Sequence, residues 1–222
     1  MKISLISLLT IFLVGYCHTP DPYHTGHFPE TVRPLPEVNS SYDDYNSASP
    51  FIHHNFLFHF SSNRNTLGET FDVIGEYMMT DWNRTNGEFT FTKEIDDEWF
   101  AYLEPLFDSI NTPADELGPT ALGYRTDLSN NEVLWTELVM YANNPDGHFD
   151  IRFAVSKQYH QPDTTTHVIL SPQEIPWLNT PTNELYPTFY GDGFMAHNPW
   201  GSDPGEISEL LYCSDAAGSY NL

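Results

Sequence analysis

The sequence predicts an all-β chain assembled from repeated small antiparallel sheets, and two internal repeats carry the prediction. Residues 110–120 (INTPADELGPT) and 178–188 (LNTPTNELYPT) agree at seven of eleven positions. A diverged copy at 38–48 (VNSSYDDYNSA) places Asn39, Asp43 and Asp44 on Asn111, Asp115 and Glu116. A second element follows each copy: FHFSSNRNTLGETFDV at 58–73, MYANNPDGHFDI at 140–151 and LYCSDAAGSYNL at 211–222. Each runs from an apolar segment into Ser, Asn or Asp, reverses at a turn containing glycine, and resumes with an aromatic–Asp/Asn–aliphatic triplet. That is the form of a β-hairpin, because Asn, Asp and Gly tolerate the turn dihedrals and aromatic or β-branched residues suit the strands.

Taken in chain order, the first unit is expected to hold strands at 49–53, 55–61, 71–79 and 88–93, followed by a short helix at 96–106 (DDEWFAYLEPL). The second holds strands at 120–125, 134–142, 148–155 and 166–170, and the third at 188–190, 209–213 and 220–222. Most of the 17 prolines fall between these segments, where a missing N–H does least harm. Four antiparallel strands per repeat is the content of one β-propeller blade. The units are bounded at about 37–107, 108–175 and 176–222, a spacing near 70 residues that insertions at 96–107 and 191–206 explain. Propellers close with four to eight blades. About two and a half are present, so the missing blades are expected from a longer chain or from another copy.

The run Asn39, Asp43-Asp44-Tyr45-Asn46, Phe58-His59-Phe60-Ser61-Ser62-Asn63-Arg64 and Phe71-Asp72-Val73 resembles the WD40-like (PD40-type) repeat of TolB-like β-propellers. The second unit carries Ala142-Asn143-Asn144-Pro145, Gly147 and Phe149-Asp150-Ile151 in the same register, and the third Cys213-Ser214-Asp215-Ala216, Gly218 and Tyr220-Asn221-Leu222. The resemblance covers residues 37–222. It implies a partial propeller whose turn residues are Asn63, Arg64, Asp72, Asn144, Asp146, Asp150, Asp215 and Asn221. It further implies an interaction scaffold of the bacterial envelope, binding a protein or a glycan. The arginine is absent from the later units, which makes any role of Arg64 local. The alternative is the propeller portion of a larger hydrolase, a peptidase or glycan-active enzyme, whose catalytic part is missing.

The N-terminus predicts export. Lys2 precedes an apolar run at 5–14 (LISLLTIFLV), about half the length needed to span a bilayer and suited to a secretory leader. Cys17 follows directly in LVGYC, which resembles a lipoprotein lipobox with Tyr16 where a small residue is usual. Residues 1–17 are read as signal peptide, with Cys17 as the lipidation site, and 18–36 as a Pro-rich tether. The expected location is the periplasm or the outer membrane, held only by that lipid. The chain has two cysteines, too few for a disulfide scaffold, and Cys213 is read as a small apolar residue. With 8 basic against 31 acidic residues the formal charge is −23, which repels nucleic acid and anionic membrane surfaces alike.

The chemistry-bearing residues form no catalytic signature: there is no His-Glu-x-x-His, nucleophile elbow, phosphate loop or paired-cysteine site. The chain is therefore read as a non-enzyme without a cofactor. Calcium is the one metal with a candidate loop, at Asn144, Asp146 and Asp150, which lacks the spacing of an EF-hand. His53, His54 and His59 are read as satisfied or exposed strand histidines. Trp135, Trp177 and Trp200 are read as core packing in preference to a sugar-binding face.

Overall fold

The computed structural model describes residues 27, 30–31, 34–35, 38–48, 55–93, 103–128, 133–161, 164–190 and 209–219. The chain divides into a smaller body, Met1–Val32 with Asp81–Thr90, and a larger one, Arg33–Thr80 with Phe91–Leu222. In the smaller body an Asx turn at Asn83, whose side chain accepts from the Thr85 N–H, is followed by a parallel bridge between His27 and Glu88.

The described strands form antiparallel sheets in sequence order. β1 (Asp44–Ala48), β2 (Asn55–Ser62), β3 (Asp72–Trp82) and β4 (Phe89–Lys93) make the first, in the order β1-β2-β3-β4. A single described helix, α1 (Glu104–Ile110), follows, with Pro105 in its first turn where a missing N–H costs nothing. β5 (Glu116–Asp127), β6 (Val133–Asn143), β7 (Asp150–Gln161) and β8 (Thr164–Glu174) make the second sheet, in the order β5-β6-β7-β8. β9 (Glu184–Tyr190) and β10 (Glu209–Ser214) pair as the described part of a third.

The expected strands in the described residues are all present, most of them longer than expected. Two positions differ. The first strand of the first unit is at 44–48, within the diverged repeat copy where no strand is expected; the expected strand at 49–53 lies outside the described residues, as does 220–222. The described helix spans Glu104–Ile110, overlapping the end of the expected 96–106 and running past it, with Pro105 in its first turn. The residues 96–102 of that expectation lie outside the described ones.

Each unit's first strand carries a bulge: the register shifts between Tyr45 and Ala48 in β1, between Leu117 and Thr120 in β5, and between Leu185 and Thr188 in β9, opposite Leu211 and Cys213. Gly118 (φ +59°) and Tyr186 (φ +56°) occupy the same repeat position there, each before a proline. Prolines 119, 172 and 187 all lie in strands at a described sheet edge, where no ladder donor is lost.

The second sheet is covered on both faces. Ala121, Val139, Tyr141 and Ala154 point to one side and pack with Val73 of the first sheet and with Leu103, Leu106, Phe107 and Ile110 around α1. The alternating residues Leu122, Met140 and Ile151 point to the other and pack with Leu178 and Phe189 of the third unit. Two-sided burial explains why 138–142 (LVMYA) reads as a continuous apolar run. A third cluster, Leu117, Ala142 and Leu185 with Tyr45, Phe71, Phe149 and Cys213, draws on all three units.

Candidate functional site

The repeated polar residues converge on the joints between sheets. Asn111 grips the backbone of Val73 in the preceding unit. Its Oδ1 accepts from the Val73 N–H at 2.8 Å, and its Nδ2 donates to the Val73 carbonyl at 3.0 Å. Asn179 repeats the grip on Ile151, at 2.9 and 3.1 Å. Four residues on, Asp115 Oδ1 accepts from the Phe71 N–H and Asn183 Oδ1 from the Phe149 N–H, at 3.0 and 2.9 Å. The next backbone N–H, of Glu116 or Glu184, donates to that same aromatic residue's carbonyl at 2.7 or 2.8 Å. Each aromatic–Asp–aliphatic triplet is thus held by four hydrogen bonds from the following unit.

The grip is oriented from within its own unit. The Asp115 and Asn183 N–H groups donate to Asn144 Oδ1 and Asp215 Oδ1, both at 2.8 Å. Asn144 Nδ2 donates to Asp115 Oδ2, and Asn183 Nδ2 to Asp215 Oδ2. Glu116 and Glu184, both fully buried, accept from the hydroxyls of Thr112 and Thr180 at 2.6 Å. Asn143 and Ser214 at the ends of β6 and β10 donate to the same carboxylates. Burial pushes the Glu116 carboxyl up to about 7 despite these donors.

The first unit has the inner half of this arrangement. The Asp43 N–H donates to Asn63 Oδ1 at 3.0 Å, and Ser62 and Ser40 donate to Asp44. Arg64 adds a contact the other units lack: Nη2 lies 2.6 Å from Asp44 Oδ1 and also donates to the Val38 carbonyl, while the guanidinium lies 5.0 Å from the Phe60 ring centre. Burial opposes charge on Asp44, but the hydrogen bonds from Ser62, Arg64 and Ser40 outweigh it and lower the carboxyl to about 2. The outer half differs: Asn39 and Asp43 are exposed, and their side chains have no hydrogen-bond partner among the described residues.

The sequence-predicted turn residues therefore separate. Asn63, Asn144 and Asp215 orient the joints, and Arg64 braces the first. Asp72 and Asp150 lie inside the gripped triplets with their carboxyls raised by burial. Asp146 is exposed in its turn, and Asn221 and Cys17 lie outside the described residues. The calcium candidate does not converge: Asn144 commits both side-chain polar atoms to Asp115, and Asp150 faces His148 at 3.5 Å. Among the described residues no three His, Cys, Asp or Glu side chains are grouped to hold a metal. Trp177 is 83% exposed, contrary to its reading as core, and Cys213 is half-buried.

Sequence reasoning missed a second polar group. His59 on β2 is fully buried, and neither ring nitrogen has a hydrogen-bond partner, so it is neither satisfied nor exposed as expected. Its Nε2 lies 4.0 Å from Glu137 Oε1 on β6, beyond hydrogen-bond reach. Burial holds the imidazole down at about 4 and pushes the Glu137 carboxyl up to about 8, so both are neutral near pH 7. Glu137 borders a small cavity with Trp135, Thr136, Ser156 and Gln158. Ser156 Oγ lies 2.7 Å from His167 Nε2, but at 2% exposure its hydroxyl is a cross-strand partner, closed to a substrate in this conformation.

A preceding signal was legible in hindsight. Leu35/Val38, Phe107/Ile110 and Ile175/Leu178 each place two apolar residues in a turn closed onto the repeat asparagine, whose N–H donates to the first of the pair. Compared with known proteins, the chain matches no family model, no curated protein and no solved structure.

Proposed function

We propose that the chain is an exported, lipid-anchored scaffold of TolB-like β-propeller blades that binds a protein or glycan ligand in the bacterial envelope. The observation that carries the reading is the joint itself. Consecutive antiparallel sheets lie face to face, and the same Asn, Asp/Asn and Glu residues of one unit grip the same triplet of the unit before. Stacked sheets tied in sequence leave loops and side chains such as Trp177 for recognition, and function concentrates on such loops. The acidic surface favours a basic protein patch or a neutral glycan over an anionic polymer.

Two measurements test the reading. Labelled palmitate is expected on the native chain and lost in Cys17→Ser. The purified mature chain is expected to bind envelope protein or isolated cell-wall glycan saturably, without releasing cleaved product. Cleavage of either material, or no saturable binding to both, contradicts it.

A further inference from the structure

We infer that the joint between the first and second sheets is a proton-held switch: a proton kept on the buried carboxyls of Asp72 and Glu116 holds it closed, and loss of that proton loosens it. Such a switch is independent of the ligand that the scaffold binds. Asp72 is the central residue of the first gripped triplet. On one side of it the Phe71 N–H and carbonyl bond to Asp115 and Glu116; on the other, both backbone groups of Val73 bond to Asn111. The grip of the second unit thereby holds Asp72, 8% exposed, beside the fully buried Glu116, and the two carboxyls repel across the joint. The third unit repeats the pair. Asp150 is the centre of the next triplet, and the fully buried Glu184 repels it. The same carboxyl pair at both described joints makes it a property of the repeat.

The surroundings of the two pairs differ. Burial raises the Asp150 carboxyl and Glu174 and Glu184 add to the rise, but His148, with Nε2 3.5 Å from Asp150 Oδ2, and Arg152 oppose it. In the first joint no cation forms an ion pair with Asp72 or Glu116 among the described residues. Asn65 bonds to Asp72, and Thr112 and Asn143 donate to Glu116. Tyr141 faces Glu116 from β6, with Arg152 beyond it. Burial is the largest effect on both carboxyls of this joint and raises both. It carries Glu116 from 4.5 up to about 7 against the donors, and the charge of Asp72 adds to the rise. A carboxyl raised on folding contributes stability below its unfolded value, and that contribution is lost as pH rises through the folded one. The first joint is thus tight in mild acid and loosens through neutral pH, where two like charges are left buried together.

Hydrogen exchange of single amides between pH 5 and 8, corrected for the intrinsic pH dependence of exchange, tests this in the native chain. The protection of Val73 relative to Ile151 is expected to fall as pH rises, by up to about tenfold per pH unit. Glu116→Gln keeps an acceptor for Thr112 but cannot ionise, and is expected to flatten that ratio. Asp72→Asn removes the repulsion and is expected to end the fall at lower pH. Glu137→Gln removes another buried acid, one that acts on the stability of the whole fold, and is expected to leave the fall in place. A ratio that is flat in the native chain, a fall unchanged in Glu116→Gln, or a fall abolished by Glu137→Gln overturns the inference. Should Glu116→Gln lose the Ile151 protection that reports the fold, Asp72→Asn carries the test, and a profile unchanged in that variant overturns the inference.

Discussion

At the residue scale, side-chain amides replace a backbone ladder where one sheet meets the next. Asn111 and Asn179 each satisfy both the N–H and the carbonyl of one residue in the neighbouring unit, which a carboxylate of the same shape cannot do because it has no donor. Asn111→Ala and Asn179→Ala leave the backbone groups of the buried Val73 and Ile151 unpaired, and each is expected to lower stability by about 1–3 kcal/mol in urea unfolding. The buried pair of His59 and Glu137 gives a pH signature. Glu137 ionises near 4.5 in the unfolded chain but near 8 when folded, so its contribution is present below pH 4.5 and is lost as pH rises to 8. His59 protonates near 6.5 unfolded but near 4 folded, so its contribution is present above pH 6.5 and is lost as pH falls to 4. The stability of the native chain relative to Glu137→Gln is expected to fall with rising pH from 4.5 to 8, at up to about 1.4 kcal/mol per pH unit. Relative to His59→Gln it is expected to rise between pH 4 and 6.5. Parallel pH profiles for native chain and variants contradict this.

At the element scale, close approaches fix how α1 and the bulges pack. An added Cβ on Gly75 of β3 lies 2.4 Å from the Phe107 ring of α1, so Gly75→Ala drives the helix off the sheet. It is expected to cost about 1–3 kcal/mol, with part of the loss restored by Phe107→Leu in the same chain, measured by a double-mutant cycle. Gly118→Ala combines a left-handed backbone with a Cβ 3.0 Å from the Tyr186 Cα, and is expected to destabilise by a similar amount without a single-residue rescue. The strands themselves were legible because the hairpin chemistry repeats. β1 was not, because Asp44-Tyr45-Asn46-Ser47-Ala48 is poor in strand formers and is extended by pairing with β2. α1 runs past the expected end at 106 because Pro105 stands in the first turn of the described helix, which continues through the apolar Leu106, Phe107 and Ile110.

At the scale of the whole molecule, the repeat did more than mark strands. The sequence comparison paired Asn39 with Asn111 and Asp43 with Asp115, and Asn63 with Asn144 and Asp215. In the fold these are the outer and inner layers of one joint. What the alignment left hidden is direction: Asn111 reaches backward to Val73, 38 positions earlier in the chain, and periodicity alone does not say which neighbour a residue touches. The His59–Glu137 pair was hidden for a related reason. The two residues lie on different sheets at non-equivalent repeat positions, and only the stacking of one sheet on the next brings them together. The export, lipid and ligand expectations rest on the leader and the family resemblance, and the experiments set out above decide them separately from the joints.

Hydrogen exchange followed residue by residue in the native chain tests the joints most directly. The amides of Phe71, Val73, Phe149 and Ile151 are expected to be strongly protected, and Asn179→Ala to release Ile151 while leaving Val73 protected. Free exchange at all four positions, or protection of Ile151 unchanged by the loss of Asn179, contradicts a molecule held together by side chains of each unit gripping the one before.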